Sequence, residues 1–96
     1  MKIDFSKNNG TLTVALCGRL DTVTAPELEK FLGENCEGGD CLIFDCGALS
    51  YISSAGLRVL LAAHKRVKGA MKLTGVCEVV MEVLEMTGFA DIWEIE

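Results

Sequence analysis

No apolar run in this chain is long enough to cross a bilayer. Half the residues are hydrophobic, yet the longest runs, such as Val59 to Ala63, fall far short of the roughly 20 residues a spanning helix needs. Residues Met1 to Ser6 carry no basic flank followed by an apolar block, so no secretory signal is expected and the protein reads as cytoplasmic, without membrane insertion. Histidine is nearly absent, with His64 alone, and the five cysteines (Cys17, Cys36, Cys41, Cys46 and Cys77) include no Cys-x-x-Cys pair. That excludes zinc-ligand spacing and an even-numbered disulfide framework, leaving reduced, partly buried thiols with no metal and no cofactor. Positive charge is in the minority: the net charge of −5 argues against a nucleic-acid binder, and the sign is unevenly spread, with Arg58, His64, Lys65, Arg66 and Lys68 on the central helix and six acids without a Lys or Arg from Leu73 onward. A G-x-x-x-x-G-K-[ST] phosphate loop and a G-x-S-x-G elbow are missing and Ser54 has no evident base to activate it, so the chain is not read as an enzyme. Neither linker nor repeat appears, and residues 1–96 read as one domain, long enough to bury roughly 60–70 % of its unfolded surface unaided.

What is present is a regular alternation of strand and helix signals. Lys2 to Ser6 and Thr11 to Cys17 have strand character around Asn9-Gly10, the strongest short hairpin signal. Thr24, Pro26 and Glu27 predict a capping box opening a helix with Leu28, Phe31 and Leu32 inward, ending near 33–39. Cys41 to Asp45 reads as a short strand covered on both faces, followed by a loop through Cys46-Gly47-Ala48 that ends in the pair Ser53-Ser54. From there Leu57, Leu60, Leu61 and Val67 fall at helical spacing, and Gly69 closes the helix. Met71 to Val76 gives a strand, Glu78 to Met86 a helix stopped by Gly88, and Ile92 to Ile95 a last strand. The order β-β-α-β-α-β-α-β predicts an α/β fold, a mixed sheet backed by helices, in which the β-α-β unit crosses over right-handedly between parallel strands.

In open α/β sheets the working loops lie beyond the carboxyl ends of the strands. Here those loops hold Asp21 after strand two and Ser53-Ser54 after strand three. A serine at a helix N-cap or first turn suits a phosphate, because free amides and the helix dipole favour negative charge there. Plainer roles are open to the same residues: Ser53 or Ser54 as a cap, Asp21 as a turn initiator, and Asp45 as a loop organiser accepting backbone N–H groups.

Three segments together carry a resemblance that spans nearly the whole chain: Gly18-Arg19-Leu20-Asp21 with Thr24 to Leu28, Leu42 to Asp45, and Tyr51 to Leu57 running on to Leu61. The chain resembles a STAS domain, and within that family the small stand-alone bacterial anti-sigma factor antagonists. The family's usual loop reads Asp-Ser-Ser-Gly-Leu. Aligned on Gly56-Leu57, the phosphoacceptor falls at Ser54, with Ser53 in the place of the aspartate and as the second candidate, and Ala55 in the place of the second serine. The resemblance implies an unphosphorylated form that binds an ATPase-type anti-sigma factor serine kinase and frees a sigma factor. Phosphorylation then ends binding, and a serine phosphatase restores it. Asp21, Ser53, Ser54, Gly56 and Arg58 are the implied partner-binding residues, with Gly56 letting a partner backbone approach. A non-switching STAS scaffold subunit of a lipid-transport or stress-signalling complex is the alternative.

Overall fold

The expected element order is the one found in the computed structural model, which describes residues 1–96. Strands β1 (Lys2–Asn8) and β2 (Thr11–Leu20) precede helix α1 (Ala25–Asn35), strand β3 (Cys41–Ile52), helix α2 (Ser54–Arg66) and strand β4 (Met71–Thr74). Helix α3 (Glu78–Thr87), a 3-10 turn at Phe89–Asp91 and strand β5 (Glu94–Ile95) complete the chain. Asn9 and Gly10 both have positive φ, 49° and 80°, giving the hairpin turn the twist its strands require. The sheet order is β1-β2-β3-β4-β5, antiparallel only between β1 and β2.

Each strand therefore lies beside its predecessor, and right-handed crossovers place every helix on one face. Burial follows this rule. Leu12, Leu42 and Met71 form one row across the sheet, and Val14, Phe44 and Leu73 the next. Both rows pack with Leu28, Leu32, Leu57, Leu60, Val80 and Leu84 of the helices in a single core. The opposite face carries Thr13, Ala15, Ile43, Asp45 and Thr74, all half-buried or exposed. Strand β3 is thus covered on one face, not two; the apolar triplet arises because the β-branched Ile43 occupies an open-face position between Leu42 and Phe44.

The expected loop after Asp45 is also corrected. Strand β3 continues to Ile52 through two bulges, since Ala15↔Asp45 is followed by Cys17↔Ala48, and Gly18↔Leu49 by Arg19↔Tyr51. At each, β3 spends one more residue than β2, and the buried positions change from Leu42, Phe44 and Cys46 to Leu49 and Ile52. The capping box is replaced too. Thr24 precedes α1 but makes no side-chain cap; its Oγ1 donates to the Arg19 carbonyl at 2.7 Å and accepts from the Asp21 N–H at 2.9 Å. Helix α3 ends as expected on Gly88 at φ 85°. Of the thiols, Cys36 and Cys46 are buried, whereas Cys17, Cys41 and Cys77 are exposed, because the first two of these exposed three lie on the open face or its edge. No helix is long and apolar enough to cross a membrane.

Candidate partner-binding site

The second bulge brings β3 to its end beside the end of β2, where the Ser53 N–H donates to the Leu20 carbonyl at 2.9 Å. That bond joins the two loops expected to converge. The next contact needs a glycine. A Cβ on Gly56 would lie 2.7 Å from Leu20 Cγ and 3.0 Å from both Leu20 O and Ile52 Cγ1. Gly56 is itself buried, so its missing side chain makes room for the chain's own β2 end, not for a partner backbone.

The two serines have different surroundings. Ser53, half-buried and extended at φ −102°, ψ 174°, is the N-cap of α2, its Oγ accepting from the Gly56 N–H at 3.4 Å. Ser54 is the first helical residue, exposed, with no hydrogen bond from its hydroxyl to the protein. One turn later Arg58 is exposed as well, and its Nε–H reaches back to the Ser54 carbonyl at 3.5 Å.

Asp21 follows Leu20, whose carbonyl accepts from the Ser53 N–H. Its Oδ1 accepts from the backbone N–H groups of Thr24 at 3.1 Å and Val23 at 3.0 Å and from the Thr24 hydroxyl at 3.2 Å, so the carboxylate builds the entry to α1. The Thr24 N–H foremost, then Val23, the Thr24 hydroxyl and nearby Arg19, hold its pKa below the ordinary 3.8. Arg19 lies 3.7 Å from the Asp21 carboxylate and stacks over the Tyr51 ring at 4.2 Å. Between the first turns of α1 and α2 a groove of about 290 Å³ is lined by Thr22, Ala25, Pro26, Ala55, Arg58 and Val59, with Glu29. Asp45 makes no hydrogen bond to this cluster; its Oδ1 accepts from the Gly47 N–H at 3.0 Å and shapes the first bulge, against which Gly75 packs.

Three participants were not singled out from the sequence: Arg19, Tyr51 and Val23, the last 82 % exposed beside Asp21. Arg19 and Tyr51 meet only because the bulged register pairs them, a relation that no local pattern records. Val23 is exposed beside Asp21, and nothing in the sequence separates an exposed valine from a buried one.

The STAS domain model matches residues 2–96. The chain is 35 % identical to BtrV of Bordetella bronchiseptica over 99 residues, covering 99 % of this chain and 85 % of BtrV. It is 31 % identical to the anti-sigma-B factor antagonist of Bacillus subtilis, covering 99 % of this chain and 90 % of that protein. The Bacillus cell fate determinant SpoIIAA in its phosphorylated form superposes with a TM-score of 0.73 at 15 % identity, covering 99 % of this chain and 91 % of SpoIIAA, a likeness of fold. With a one-sided mixed sheet, a serine-capped α2 and a family match from residue 2 to residue 96, the chain belongs to the STAS domain family.

Proposed function

We propose that this chain is an anti-sigma factor antagonist controlled by phosphorylation of Ser54. Unphosphorylated, it binds an anti-sigma factor that is also an ATP-dependent serine kinase, and a sigma factor is released for transcription. The kinase then transfers the γ-phosphoryl group of ATP to Ser54: the Oγ–P bond forms, the bond to the β-phosphate breaks, ADP leaves and the hydroxyl proton passes to a base of the kinase. A serine phosphatase returns the hydroxyl by hydrolysis. The family match and the anti-sigma-B factor antagonist among the relatives support the binding role.

The observation that carries the choice of site is the division of labour between the serines. Ser53 is spent on capping, whereas Ser54 is exposed, uncommitted and in the first turn of a 13-residue helix. A phosphate adds roughly −1.5 to −2 charges with three strong acceptor oxygens, and a helix N-terminus tolerates it without refolding. Across an interface fitted to a neutral hydroxyl, the same group brings unmatched charge and bulk that must be desolvated, and binding weakens. Ser53 in place of the family's aspartate also has an account here. The position is an N-cap, where Ser and Asp serve about equally well, so the departure gives no reason to prefer the scaffold reading. Incubation of the protein in native extract with ATP, followed by peptide mass mapping, should place phosphate on Ser54 and none on the Ser54→Ala variant. Phosphate on Ser53, or none at all on the wild type, would overturn the assignment.

A further inference from the structure

One cation stands within a helical turn of the Ser54 hydroxyl. Arg58 is four residues on in α2, on the same exposed face, and its Nε–H points back to the Ser54 carbonyl at 3.5 Å. Long side chains on a helix lean toward its N-terminus, which is why this guanidinium lies over the first turn. It is also uncommitted. The bond to the carbonyl is at the outer limit of hydrogen-bonding distance. None of the five ion pairs in the structure includes Arg58, although Glu29 lines the same groove.

We propose that Arg58 is an internal clamp for phosphorylated Ser54: once Oγ carries a phosphate, the guanidinium leaves the Ser54 carbonyl and pairs with the phosphate oxygens. The planar guanidinium fork matches phosphate geometry, and the charge-assisted pair is stronger than the long neutral-acceptor bond it replaces. The inference rests on Ser54 being the acceptor, and it adds a second arm to the switch. Phosphorylation then introduces negative charge at the partner face and withdraws the positive charge of Arg58 from that face in the same step. Of the three residues between them, Ala55 carries only a methyl group, Gly56 has no side chain, and Leu57 is turned into the core, so none stands in the way.

The test uses the full chain with phosphoserine genetically encoded at position 54, in the wild-type, Arg58→Lys and Arg58→Ala backgrounds, with the phosphate titrated by phosphorus NMR. Arg58 is exposed, and circular dichroism verifies that each variant is folded. The clamp favours the dianion, so the second phosphate pKa should be lower in the wild type than in Arg58→Ala by roughly half a unit, the size of a solvent-exposed ion pair. Arg58→Lys should fall between them, and the difference should shrink at ~1 M salt, where the screening length is about 3 Å. Coincident titrations of wild type and Arg58→Ala overturn the clamp and leave Ser54 as the acceptor. Phosphate mapped to Ser53 in native extract overturns the acceptor assignment and the clamp with it.

Discussion

Adjacent serines with the same side chain hold separate jobs because the helix boundary falls between them. Ser53 Oγ faces inward to the Gly56 N–H, while Ser54 has already entered the helix and faces out. Ser53→Ala should therefore cost about 1 kcal/mol of stability through the lost cap, whereas Ser54→Ala should stay within about 0.5 kcal/mol of wild type, both read by urea unfolding. A larger loss for Ser54→Ala would exchange the two roles. That a helix starts at the serine pair was legible in the sequence, since the apolar residues that follow fall at helical spacing, but which serine caps it was not, because either hydroxyl can accept from a first-turn N–H. Nor was the role of Thr24. Thr24, Pro26 and Glu27 have the composition of a capping box, but the Asp21 carboxylate takes the Thr24 N–H and the Thr24 hydroxyl turns back to the Asp21 N–H and the Arg19 carbonyl, a competition that depends on where β2 ends.

At the scale of elements, the site depends on how closely α2 approaches the end of β2. Leu20 is fully buried, and both its carbonyl oxygen and its side chain lie against Gly56. Gly56→Ala sets about 1 kcal/mol of helix propensity against a Cβ placed 2.7 Å from a buried leucine carbon and 3.0 Å from a backbone oxygen. Overpacking of this kind typically costs about 1–3 kcal/mol, so the variant should be less stable in urea unfolding; an increase in stability would mean that β2 and α2 separate freely. Strand β3 shows why half of this architecture escaped the sequence. Leu42, Phe44 and Cys46 alternate as a strand should, but two bulges shift the buried positions to Leu49 and Ile52, at intervals of three. A period of three belongs neither to a strand nor to a helix, so Cys46 to Tyr51 looks like a loop. The bulges also aim the strand end, bringing Tyr51 beside Arg19 and Ser53 onto Leu20.

Across the whole molecule the two ends of the sheet divide the work. At the end away from Ser54, Lys7 of β1 donates to Asp40 at 3.0 Å, and Asp40, the one buried charged residue at 5 % exposure, also accepts from the Glu37 N–H at 2.9 Å. This ties the hairpin to the turn that feeds β3. The Glu37 N–H first, and Lys7 second, hold the Asp40 carboxyl below its ordinary 3.8. The bond to Asp40 likewise holds Lys7 above 10.5. A depressed carboxyl contributes stability that is present above its unfolded pKa and lost as pH falls through the folded one, and a raised ammonium contributes stability lost as pH rises through its own. Folding should therefore weaken from pH 3.8 downward and from 10.5 upward. Asp40→Asn should flatten the acid limb in urea midpoints taken at neutral and acid pH. An unchanged acid limb in that variant would assign the loss to Asp21 and Glu96, whose pKa values are lowered as well.

The proposed switch lies at the other end of the sheet, and partner binding tests it most directly. Wild type, Ser53→Asp and Ser54→Asp, each immobilised and exposed to the same native extract, differ only in where one carboxylate is added. An anti-sigma factor kinase retained by wild type and by Ser53→Asp, whose carboxylate still caps α2, and lost from Ser54→Asp, is the expected result. Equal retention by Ser54→Asp and wild type, or equal loss from both variants, would contradict a switch centred on Ser54.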